Sequence, residues 1–152
     1  MLDLFSYNWQ VREDWFKWCE DLSAEELNAE RVGGMGGILK NLVHIIDCEL
    51  IWINHMIQES IIYPGKEAIG DLQDVKKFSD FTKAVTEKFL HEHSDFENRT
   101  VIIKSKNGTT YTFTAKKIIL HIISHEIHHF GQLSVWSREI GLKPVSSDLI
   151  IR

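Results

Sequence analysis

From Ile38 to about Gln58 the chain is apolar around most of a helical circumference. Leu39, Leu42, Val43, Ile46, Leu50 and Ile53 recur at helical spacing, and Ile45, Trp52 and Met56 widen the stripe. A helix with so little polar face needs cover on several sides, so it must be central. Other segments supply that cover. Residues 2–20 repeat Leu4, Tyr7, Val11, Trp15 and Trp18 at spacings of three and four. A third long helix fits residues 74–97, with Val75, Phe78, Phe81, Val85 and Phe89 facing inward and Phe96 a further candidate. A fourth fits 115–140, capped by Thr114 and stopped by Gly141 and Pro144.

The connections are equally readable. Ser23-Ala-Glu-Glu26 is a capping-box pattern that opens a short helical piece. It runs into four glycines within residues 33–37, which mark a turn or a close backbone approach. Residues 59–73 hold Pro64, Gly65 and Gly70 and read as a loop. After the third helix the period changes to two. Thr100–Lys104 and Thr110–Thr114 flank Lys106-Asn107-Gly108-Thr109, and Asn-Gly between β-branched runs signals a hairpin. The expected fold is all-α: one domain over residues 1–152, a four-helix bundle with a small β-hairpin inserted before the last long helix.

Composition narrows the function. The net charge is −5 with no basic block, which argues against nucleic-acid binding, since that rests on phosphate neutralisation by Lys and Arg. Cys19 and Cys48 form no CxxC pair and read as reduced, buried thiols. The N-terminal segment lacks the basic and apolar regions of a secretion signal, and every apolar stretch is broken before the ~20 residues that cross a bilayer. The expectation is a cytoplasmic protein without membrane contact.

Chemistry concentrates in residues 118–132, IILHIISHEIHHFGQ. His121, His125 and His129 stand four residues apart, so they share one helical face, and two imidazoles so spaced can reach one metal ion. A third ligand must come from a facing helix. His44, between Val43 and Ile45 in the central helix, is the best candidate, against the alternative of a core histidine satisfied by a carbonyl. Cys48, four residues after His44, could also ligate, but packing is the better explanation for it. Asp47 and Glu49 suit hydrogen bonding to the ligands better than ligation. His121 is ambiguous, His128 peripheral, and His55, His91 and His93 receive no role.

His125-Glu-Ile-His-His129 also spells the zinc-protease pattern, whose glutamate is a general base. The extended form needs Gly and His where Gln132 and Val135 stand, and only Glu139 and Asp148 offer carboxylates downstream. In a histidine-rich helix the pattern arises by chance, and the protease reading is set aside.

The helical order, the hairpin, His44 within Leu42-Val-His44-Ile-Ile-Asp47, and His125-Glu-Ile-His-His-Phe-Gly-Gln132 together resemble the DinB-like (DinB/YfiT) superfamily of metalloenzymes over essentially the whole chain. The resemblance implies a four-helix bundle, often a homodimer, holding a divalent metal (zinc or nickel foremost) on three histidines, here His44, His125 and His129. It further implies a transferase of a low-molecular-weight thiol, of the bacillithiol or mycothiol type, onto electrophiles in stress or detoxification. Small-molecule thiol and electrophile are then the partners. The alternatives are a non-catalytic metal-binding bundle and a metal-dependent hydrolase. Glu126, Gln132 and His121 are candidates for orienting cosubstrate or ligands.

Overall fold

The computed structural model describes residues 2–93 and 98–152. The helices are α1 (Leu2–Glu20), α2 (Ala24–Asn28), α3 (Ile38–Ile57), α4 (Leu72–Glu92) and α5 (Ala115–Glu139), with strands β1 (Thr100–Lys104) and β2 (Thr110–Thr114) before α5. This is the expected bundle of four long helices with a hairpin inserted before the last. Helix α3 packs on both α4 and α5, and α1 closes against the same two. Among the described residues no helix is long and apolar enough to cross a membrane.

Local chemistry sets the helix ends. Ser23 accepts a hydrogen bond from the Glu26 amide, Asp71 from the Asp74 amide and Thr114 from the Lys117 amide, each satisfying a free N–H of the first turn. Asp71 therefore starts α4 at Leu72, inside the segment expected as loop, and a 3₁₀ turn over Lys66–Ala68 precedes it. The expected C-terminal portion of that helix, with Phe96, falls partly outside the described residues.

The hairpin pairs Lys104 with Thr110 and Thr100 with Thr114. Its loop includes Ser105, one residue more than expected. The Ser105 amide donates to the Thr109 carbonyl, and Gly108 takes a positive φ of 85° that closes the turn.

The interior has two apolar clusters. One gathers Val11, Trp15, Ile45, Ile46, Phe78, Phe130 and Trp136; the other gathers Phe5, Ile53, Met56, Phe89, Val101, Ile118 and Ile122. Between them lies a polar layer contributed by all four long helices: Asn8 and Arg12 from α1, Glu49 from α3, Ser79, Thr82 and Thr86 from α4, and Glu126 from α5, all buried. The stripe of α4 is thus only half apolar. Phe81 and Val85 are partly buried, while hydroxyls of Thr82 and Thr86 face the core.

Candidate metal centre

Three histidines from two helices meet on the side of the bundle where α3 packs on α5. Nε2 of His125 lies 3.2 Å from Nε2 of His44 and 3.2 Å from Nε2 of His129. One ligand atom from each ring falls within 4.8 Å of the others, and no fourth His, Cys, Asp or Glu joins the group among the described residues. The i,i+4 spacing on α5 sets the His125–His129 pair, and the central position of α3 brings His44 across.

The protonation pattern follows from the partners. His129 Nδ1 is 2.7 Å from both Asn41 Oδ1 and Gln132 Oε1. Asn41 Nδ2 donates to the His129 carbonyl, which fixes its amide so that Oδ1 faces the ring. Two acceptors at Nδ1 require the proton there, leaving a lone pair on Nε2 aimed at the other rings. Burial pushes the His44, His125 and His129 imidazoles below the usual histidine range. His125 falls to about 4, burial acting first and the neighbouring His129, His44, His121 and His128 adding to it. Neutral rings with converging lone pairs are ready ligands.

The fit to a divalent ion can be tested directly. Two nitrogens held about 2.0–2.1 Å from one ion at a tetrahedral angle stand roughly 3.3 Å apart. Both measured pairs, at 3.2 Å, meet that spacing. His129 also has the hydrogen-bonded outer nitrogen common in metal-ligating histidines. The outer nitrogen of His125 is buried without a hydrogen-bond partner among the described residues, and its ring packs against those of His44, His121 and His129.

Glu126, adjacent to His125, faces the opposite way. Its Oε1 accepts from Arg12 Nε at 2.6 Å, and its Oε2 accepts from Arg12 Nη2 at 3.0 Å and Asn8 Nδ2 at 3.0 Å. Arg12 Nη2 also donates to Glu49 Oε2 at 2.5 Å, and Glu49 Oε1 accepts from Thr86 and Trp9. Burial raises the Glu126 carboxyl and Arg12 draws it down. Since only donors face its two oxygens, the carboxylate is the form that fits. Burial opposes charge on Arg12, but Glu126 and Glu49 together hold the guanidinium above its ordinary value. A carboxylate locked in this layer cannot serve a substrate as general base, which disposes of the protease pattern.

Residues 1–151 match the sequence profile of the DinB family. The chain belongs to the DinB family. It is also similar to the uncharacterized protein YizA of Bacillus subtilis (strain 168), with 42% identity covering all of this chain and 95% of that protein.

Within this DinB-family bundle the other expected residues take different places. Glu49 lies in the ion layer with Arg12 and does not support the histidines, because its inward position on α3 points at α1 rather than at α5. Asp47 pairs with Lys66. Cys48 is half-buried, not fully buried, and stands outside the histidine group; burial pushes its thiol up to about 11 and that of Cys19 to about 12. His121 is exposed, with its ring centroid 5.5 Å from that of His125. His128 is exposed and touches Gln132.

Two residues that sequence reading missed matter most. Asn41 signals itself only as a polar residue one turn before His44 in an apolar helix. Arg12 signals itself only as one of two cations in an aromatic-rich helix. The glycine segment also acquires a role: a Cβ on Gly34 would sit 2.4 Å from Gln132 Oε1, so glycine there lets the loop lie against the amide that holds His129.

Proposed function

We propose that this protein is a divalent-metal-dependent enzyme that transfers a low-molecular-weight thiol, of the bacillithiol type, to an electrophile. The observation that carries the reading is the three-histidine group, which has no fourth protein ligand among the described residues and so leaves a position for an exogenous molecule. A bound zinc or nickel ion would supply positive charge that favours the thiolate of a thiol arriving there.

The chain's own residues hold and shape the site. His44, His125 and His129 present neutral nitrogens, while Asn41 and Gln132 fix the tautomer of His129. A cleft of about 430 Å³ opens on His44; Leu39, Val43 and Ile69 line it together with the Asp47–Lys66 pair, and Lys40 offers an anionic group of a cosubstrate a cation. Neither cysteine is suited to be the nucleophile, since burial keeps both protonated at neutral pH. The thiol therefore comes from the cosubstrate. The proposal extends to a cytoplasmic homodimer acting in detoxification.

The test is thiol-dependent consumption of an electrophile such as monobromobimane by metal-loaded protein, with metal content measured alongside. His125→Ala should abolish consumption with the circular dichroism spectrum intact, and His44→Ala should lose metal. Full metal retention in His44→Ala would sink the three-histidine site. Metal bound in full with no thiol turnover would favour a non-catalytic metal-binding bundle instead.

A further inference from the structure

Beside the histidine group, a pocket of about 240 Å³ is walled by Trp52 of α3, Phe113 of β2, and Ile118 and His121 of α5, with Lys117 at its edge. The rings pack edge-to-face on one another and together form its aromatic wall. Trp52 stands 6.2 Å from Phe113 at 79° and 5.2 Å from His121 at 75°. His121 is shared between the two sites, since its other neighbour is the ring of His125. Lys117 Nζ lies 6.0 Å from the Phe113 ring centroid, and among the described residues no carboxylate pairs with it.

We propose that this pocket is the electrophile subsite, and that it takes a single planar apolar ring carrying an anionic group. Resting on the thiol-transfer reading, the assignment adds the substrate class. An apolar cavity of roughly 150 Å³ holds benzene, whereas drug-sized ligands need roughly 300 Å³ or more, so this pocket is sized for one ring and a short substituent. Ring faces left open to the pocket suit a flat ring, and a lysine at the edge with no carboxylate partner suits an anion. The arrangement gives the hairpin a purpose: Phe113, alone among the walls, comes from outside the bundle. It also puts two unlike recesses beside the histidines, the larger cleft at His44, with charged residues among apolar ones, and the aromatic pocket at His121. His121 then acts as a specificity-determining residue rather than a ligand.

The experiment uses 4-fluorophenylacetate and its neutral amide, followed by fluorine NMR line broadening on metal-free, chelator-treated protein. Metal-free protein keeps a carboxylate from being drawn to the histidines by an ion, and it makes the result independent of whether thiol transfer occurs. Broadening by the parent protein is expected, weakened by more than about tenfold in Trp52→Leu or in Phe113→Ala. Lys117→Gln, a surface change on α5, should weaken the acid by about two- to fivefold and leave the amide unchanged. No broadening, or broadening equal in folded Trp52→Leu and Phe113→Ala, overturns the subsite. Equal binding of the acid to Lys117→Gln overturns its anionic specificity. A failed thiol-transfer assay with these outcomes intact would refute the reaction and leave the pocket standing.

Discussion

Replacing Arg12 with methionine isolates what the buried ion layer contributes. The guanidinium is 1% exposed and donates to Glu126 through Nε and Nη2, to Glu49 through Nη2 and to Ser79 through Nη1. Methionine keeps most of the volume and removes every donor, leaving two carboxylates buried without a cation. Removing one partner of a buried pair costs about 3–5 kcal/mol. At this chain length each kcal/mol moves the melting temperature by roughly 2–4 °C, so a fall of roughly 6–20 °C is expected. The sign of the pH dependence is diagnostic. Without Arg12 the folded carboxyls bind protons more tightly than the unfolded ones, whose ordinary value is about 4.3. The deficit of the variant against the parent is then greatest at neutral pH and shrinks as pH falls toward that value, and adding Glu126→Gln restores part of it at pH 7. Urea unfolding in the presence of chelator, as a pH series, measures both effects. A variant within about 1 kcal/mol of the parent would refute the reasoning. So would a destabilised variant indifferent to acid and to Glu126→Gln.

Gln132→Ala removes one of the two acceptors at His129 Nδ1 and should lower metal affinity about 10–100-fold with the fold intact, read by competition with a chromogenic chelator. Gly34→Ala should have the same effect, because its Cβ displaces the Gln132 amide, and should also cost about 1–2 kcal/mol for a residue held at φ +50°. Both cysteines should alkylate slowly with iodoacetamide at about pH 7.5 until urea is added, their thiols lying near 11 and 12; rapid native labelling would contradict their burial. For metal-free protein, His125 is held down to about 4 against 6.5 when unfolded. The unfolded chain therefore binds the extra proton between these values. Stability is full above pH 6.5 and declines as pH falls toward 4, and urea midpoints that rise on acidification would be the wrong sign.

Much of the fold was legible because helix formation here is a matter of period and caps. The stripe of α3, the spacing in α1, the caps at Ser23 and Thr114 and the Asn107-Gly108 turn each carry their own local signal. Asp71 was a cap hidden in an apparent loop, and α4 begins two residues earlier for that reason. The i,i+4 pair His125 and His129 was equally local. His44 could be nominated because a histidine inside an apolar helix needs a partner.

What sequence alone determined, then, was the set of helices, the hairpin and which histidines could ligate. Only the tertiary structure decided how each helix is rotated about its axis, and that rotation divides neighbours. Glu126 and His125 are adjacent in the chain, yet one enters the ion layer with Arg12 while the other joins the three-histidine cluster. Glu49 and His44 part in the same way along α3. On a helix, successive side chains point about 100° apart, so a string of letters can propose His-Glu-Xaa-Xaa-His but cannot say which wall each residue meets. Packing across four helices settles that, through the cost of burying a charge without its partner.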